Sequence, residues 1–159
     1  MPEKAPDFVY TIYIAASAEK VWNGLIDREL TKAYWKHYNE SDWKRGSRWA
    51  HVRSDGSGKE DIVGRVIEID PPRRLVTSWA LPGDEGDETK YSRVTYEITP
   101  IGPDARLTVT HSDLEAGSGM LAGITAGWPA VLSGLKSLLE TGRPLSDDFW
   151  EEAERHGNQ

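Results

Sequence analysis

Between Trp43 and His111 the chain breaks into short runs of alternating apolar and polar residues, separated by clusters of turn formers. A period of two sends successive side chains to opposite faces of a strand, so this stretch is predicted to form sheet. The runs are 47–53, 61–69, 74–80, 91–99 and 105–111, and an earlier one covers 8–14. Ser54-Asp55-Gly56-Ser57-Gly58, Asp70-Pro71-Pro72-Arg73 and Ile101-Gly102-Pro103-Asp104 join neighbours closely enough to imply hairpins, and the longer polar loop 82–88 joins another pair. Six strands in this order imply an antiparallel meander.

Two helical regions interrupt or follow the strands. Ser17 is placed to cap a helix over 18–26 with Val21, Trp22, Leu25 and Ile26 as its buried stripe, and Asp27 to cap a second over 28–35. The long C-terminal helix is predicted to begin around Gly127-Trp128-Pro129, with Pro129 in its first turn, and to run from Ala130 to Glu140 before Gly142. Trp128, Val131, Leu132, Leu135, Leu138 and Leu139 recur at three- and four-residue spacing, so one broad face must be buried. The segment 120–126 reads as a separate helical turn. Its Gly119-xxx-Gly123-xxx-Gly127 spacing lies in too short an apolar run for a membrane dimer motif. Residues 1–7 read as disordered, 8–142 as one domain, and 143–159 as a tail in which Ser146 caps a short acidic helix. Phe149 and Trp150 on that helix would suit either a homodimer contact or a cover for their own domain.

With 159 residues the chain suits a single core of substantial size. A formal charge of −7 argues against a grip on nucleic acid or anionic lipid, because both need clustered Lys and Arg. The absence of cysteine removes disulfides and thiol chemistry. His37, His51, His111 and His156 are too scattered to suggest a metal site, and no phosphate loop, nucleophile elbow or dinucleotide fingerprint occurs. No cofactor is expected. No signal peptide or membrane span is evident, and a cytoplasmic location is the expectation.

Strand parity nominates a site. Leu75, Thr77 and Trp79 share a face, as do Val94, Tyr96 and Ile98, and Leu107, Val109 and His111. Seven tryptophans are many for this length, and large rings suit the wall of a cavity between sheet and helix. Trp79, Tyr96, His111 and Trp128 are the expected lining, with Leu132 and Leu135 from the same helix face and Trp35 at the mouth. Trp49, His51 and Arg53 form a further set in which Arg53 could hold a carboxylate or phenolate. A buried His111 should be neutral, and either orient a ligand or act as a general acid or base.

The order of elements resembles the helix-grip fold of START and Bet v 1-like proteins, the SRPBCC superfamily, and more closely its branch similar to the activator of Hsp90 ATPase. The stretches that carry the resemblance are 14–22, 27–31 with Trp35, 46–49, 64–76 with Trp79, 94–98, 107–111 and Gly127-Trp128. It implies an α+β protein with a curved antiparallel sheet of six to seven strands, in β-α-α-β6-α order, wrapped around a long C-terminal helix. It further implies a small apolar or aromatic ligand in an internal cavity, a cyclase- or hydrolase-like enzyme using the same cavity with His111 as acid or base, or a chaperone-accessory or other protein-interaction role. An Hsp90-type chaperone is not the expected partner, since the eukaryotic activator has a separate N-terminal domain that also contacts the chaperone, and only seven residues precede the first strand here.

Overall fold

The alternation of the opening strand translates directly into a two-faced edge. In β1 (Phe8–Ile14) the residues Phe8, Tyr10, Ile12 and Ile14 turn toward the core, while Val9 and Tyr13 stand in solvent. The structure, a computed structural model, describes residues 3–157. Ser17 then caps α1 (Ala18–Ile26) by accepting the Lys20 N–H, and Asp27 caps α2 (Arg28–Trp35) by accepting the Leu30 N–H at 3.0 Å. The two helices lock together where the Tyr34 hydroxyl donates to the Gly24 carbonyl at 2.7 Å.

Six strands follow: β2 (His37–Glu40), β3 (Arg48–Arg53), β4 (Glu60–Asp70), β5 (Arg74–Trp79), β6 (Ser92–Ile101) and β7 (Asp104–Ser112). All pairings are antiparallel, in the spatial order β1-β7-β6-β5-β4-β3-β2. The sheet curls around α3 (Gly119–Thr141), and the core between them collects Trp22, Leu25 and Trp35 from the helix pair with Leu75, Val94, Leu107 and Val109 from the strands. Gly64 shows how tightly β4 meets its neighbours. A Cβ there would fall 1.8 Å from the Ser78 carbonyl oxygen, which itself accepts the Trp49 indole N–H at 2.9 Å, so only glycine fits.

In its backbone elements the structure departs from the sequence-based expectation in three places. β2 was not anticipated, because four residues, His-Tyr-Asn-Glu, carry no alternation long enough to count. The C-terminal helix starts at Gly119 rather than near Trp128 and runs through Pro129 without a break, capped by Ser118, which accepts the Leu121 N–H at 3.1 Å. A proline inside a helix costs about 3 kcal/mol. Met120, Leu121 and Ile124 continue the apolar spacing backward from Trp128 and pack against the core, Ile124 buried and the other two partly so. A fully buried side chain of this size returns about 1.5–3 kcal/mol and a partly buried one less, which together offset the proline. Continuity therefore wins. Residues 3–5, expected to be disordered, pair with the segment after β7: the Ala5 N–H donates to the Leu114 carbonyl and the Ala116 N–H to that of Glu3. Met1 and Pro2 lie outside the described residues.

Of the two courses open to the tail, the structure shows it folded back on its own domain. α4 (Asp148–Gly157) packs on α3, with Trp150 against the core, Phe149 near Gly134, and Asp147 ion-paired to Lys36 at 3.1 Å.

Candidate functional site

Trp128 brings the predicted aromatic residues together. Its ring centroid lies 5.7 Å from that of Trp35, 5.4 Å from Trp79, 5.9 Å from Tyr96 and 6.2 Å from His111. Trp49 joins through Trp79 at 5.6 Å, and Leu132 and Leu135 are fully buried beside the cluster. Trp35, expected at a mouth, is instead buried inside, edge-on to His51 at 4.6 Å. The rings fill the space that the sequence reading left hollow, because β5, β6, β7 and α3 each contribute a large side chain to the same layer.

Within this layer the hydrogen bonds of His111 have a fixed direction. An indole N–H can only donate, so the Trp128 Nε1–H, 3.1 Å from His111 Nδ1, requires that nitrogen to accept. The neutral ring then carries its proton on Nε2, which donates to Ser92 Oγ at 2.8 Å. Burial keeps the ring neutral and pushes its pKa down to about 4. Although Ser92 and His111 are within the reach of a nucleophile and its base, Nε2 already holds a proton and cannot take one from the serine. Among the described residues no carboxylate orients the imidazole; the indole occupies that position.

His51 is set by a second chain. Asn39 donates its amide N–H to the Leu25 carbonyl at 3.2 Å, which turns its oxygen toward His51 Nδ1 at 2.7 Å, so Nδ1 donates. Burial, with His37 stacked 4.1 Å away, holds the His51 pKa well below its usual range. Arg53 shares that strand face as expected but has a protein partner: its Nε donates to Asp61 at 2.7 Å, and the same carboxylate oxygen lies 2.8 Å from His37 Nε2. The carboxylate predicted to come from a ligand is thus supplied by β4.

Open space lies at the other side of Ser92. A pocket of about 560 Å³ opens between the first turns of α3 and the end of the sheet where β6 begins and β7 ends. Ile62, Leu81, Leu114, Met120 and Ile124 give it an apolar wall, and Ser92 supplies a hydroxyl. Charged groups stand at its rim, three carboxylates (Asp84, Asp113, Glu115) against two ammonium groups (Lys4, Lys90), with Lys90 and Asp84 3.7 Å apart. None of the ten residues nominated from sequence lines this pocket directly; His111 and Trp128 stand behind its wall through Ser92.

A second cavity, near 10 Å³, lies among Leu25, Asn39, Trp43, Trp49, Leu75, Thr77 and Tyr96, with room for about one water-sized body. Burial raises the Tyr96 phenol pKa far above its usual value, so the group stays protonated.

Ser92, Met120 and Ile124 were missed from sequence, although a signal existed for two of them. Ser92 falls in parity with Val94, Tyr96 and Ile98, and Ile124 lies one helical turn before Trp128. Among the described residues no three His, Asp or Glu side chains could hold a metal ion, and no helix is long and apolar enough to cross a membrane.

A seven-stranded antiparallel sheet curled around a long C-terminal helix defines a helix-grip protein. The profile of the family described as "Activator of Hsp90 ATPase homolog 1-like protein" matches residues 15–140, and the chain belongs to that family. No curated protein matches it. Among solved structures, the chain is similar to CalU16 from Micromonospora echinospora, at 20% identity over 99% of this chain and 94% of that one, with a TM-score of 0.70. It is similar to the Aha1 dimer from Colwellia psychrerythraea at 21% identity, covering 87% and 98% of the two chains, TM-score 0.71. It is also similar to an HSP90 activator from Plasmodium falciparum at 24% identity, covering 85% and 96%, TM-score 0.69. Identities this low speak for the shared fold alone. In general terms, family and fold make this a ligand-binding or interaction module.

Proposed function

We propose that the protein binds a small apolar or aromatic molecule in the pocket between the N-terminal half of α3 and the sheet. The observation that carries this reading is the coincidence of about 560 Å³ of open volume with an apolar wall and one buried hydroxyl, the usual composition of a ligand site. The buried aromatic cluster acts as a rigid floor rather than as the lining itself. Turnover is not part of the proposal, since His111 lacks both a free base nitrogen toward Ser92 and an orienting carboxylate.

Gly123 offers a direct test. It lines the pocket, and a Cβ built on it meets nothing within 4 Å, so Gly123→Leu should extend into the void without a backbone clash. Replacing a helical glycine also favours folding by about 0.5–1 kcal/mol. A naphthyl ketone such as 2-acetylnaphthalene, at a hundred times its Kd, should stabilise the wild type by about 2.7 kcal/mol in a thermal melt. Gly123→Leu should keep or raise the ligand-free Tm and lose that response. An equal response from both proteins would remove the pocket from consideration.

Family membership favours a second reading, in which the outer surface engages an Hsp90-type chaperone. The same variant separates the two, because filling the pocket would leave an outer-surface contact intact.

A further inference from the structure

Ser92 is 3% exposed and lines the pocket, and its hydroxyl proton has no good acceptor. Trp128 must donate to His111 Nδ1, so His111 Nε2–H must donate to Ser92 Oγ, and Ser92 is left to direct its own proton elsewhere. Among the described residues, two protein atoms are near enough to receive it. The Trp79 carbonyl oxygen is 3.4 Å away, long for an O–H···O bond, and the Met120 thioether sulfur at 3.6 Å is a weak acceptor on a flexible side chain that itself lines the pocket.

We infer that the pocket is selective for a ligand that presents a neutral hydrogen-bond acceptor, a ketone, ester or amide oxygen on an apolar body, to the Ser92 hydroxyl, with Trp128 and His111 acting as positioning residues that fix the hydroxyl as a donor. The inference rests on the proposed ligand-binding reading and adds the chemistry of the ligand to it. Neutrality follows from the rim, where carboxylates outnumber ammonium groups and Lys90 faces Asp84, so an anionic head would meet net repulsion. The ligand oxygen takes the place of Met120 Sδ beside Ser92, and the thioether swings aside at little cost.

The experiment compares three naphthalenes by fluorescence titration and calorimetry. These are 2-acetylnaphthalene, its near-isostere 2-isopropenylnaphthalene, in which a methylene replaces the oxygen, and 2-naphthoate. A neutral hydrogen bond worth about 0.5–1.5 kcal/mol predicts that wild type prefers the ketone to the alkene roughly two- to twelvefold, with the carboxylate weakest. Ser92→Ala should bring the ketone-to-alkene ratio to about one. Trp128→Phe should lower it as well, because without the indole donor His111 can present a bare Nε2 and take the serine proton itself. Long-range proton–nitrogen correlation of the wild-type imidazole gives a second readout, with a pyridine-like Nδ1 and a pyrrole-like Nε2 expected. Equal ketone and alkene affinities in wild type would overturn the inference and leave the pocket standing. A protonated Nδ1, or a ratio that survives Ser92→Ala, would also overturn it. Failure of all three compounds to bind would overturn the pocket reading and the selectivity with it.

Discussion

Trp128→Ala is expected to lose about 3–5 kcal/mol of folding stability, the range for removing a fully buried large aromatic. The indole is 2% exposed and packs against Trp35, Trp79, Tyr96 and His111, which arrive from α2, β5, β6 and β7. Truncation would leave a void bounded by four rings that belong to four different elements and cannot all collapse into it. It would also strip His111 Nδ1 of its donor, adding the cost of an unsatisfied buried acceptor. Urea unfolding of the two proteins measures the difference. A loss below about 1 kcal/mol would mean that Trp128 borders open space rather than a packed interior.

The second large effect is acid sensitivity. His111 is held near a pKa of about 4 by burial, and the rings and hydroxyl around it offer no charge to stabilise an imidazolium. Unfolded, the same histidine titrates at about 6.5. As the pH falls through that window the unfolded chain takes up a proton that the native state refuses, so stability is intact above about pH 6.5 and drains away toward pH 4. One such group contributes a slope of about 1.4 kcal/mol per pH unit and a total loss of about 3 kcal/mol. His51, also lowered by burial, adds in the same direction. Carboxylates held low by arginine, such as Glu60 and Glu85 beside Arg48, add loss as they protonate. His111→Gln isolates the share of His111. Its unfolding free energy should decline less steeply between pH 6.5 and about 4.5, by close to one proton's slope. Parallel curves for mutant and wild type would show that the imidazole accepts a charge where it stands.

How far the sequence announced this molecule depends on which interaction decided each part. Strand faces were legible because parity is local: Trp79, Tyr96 and His111 point into the core layer as their positions predict, and Ser17 and Asp27 cap the helices they precede. The start of α3 was not, because Pro129 is a strong local signal and the burial of Met120 and Ile124 that outweighs it is tertiary. Arg53 was legible as to face and not as to partner, since Asp61 reaches it across the β3–β4 pairing. The void was the least accessible feature. Alternation says that a ring points inward, but whether rings from β5, β6, β7 and α3 meet or leave a gap depends on their rotamers and on the path of the backbone. Here they meet around Trp128, and the gap falls one layer away, beyond Ser92, where smaller and more flexible side chains line the wall.

The most direct test of the account is a methyl-resolved NMR titration of the intact protein with 2-acetylnaphthalene. Ring-current shifts should concentrate on the methyl groups of Ile62, Leu81, Leu114, Met120 and Ile124, with those of Leu25, Leu132 and Leu135 nearly unmoved. Shifts centred on Leu25, Leu132 and Leu135, or no saturable shift anywhere, would contradict it.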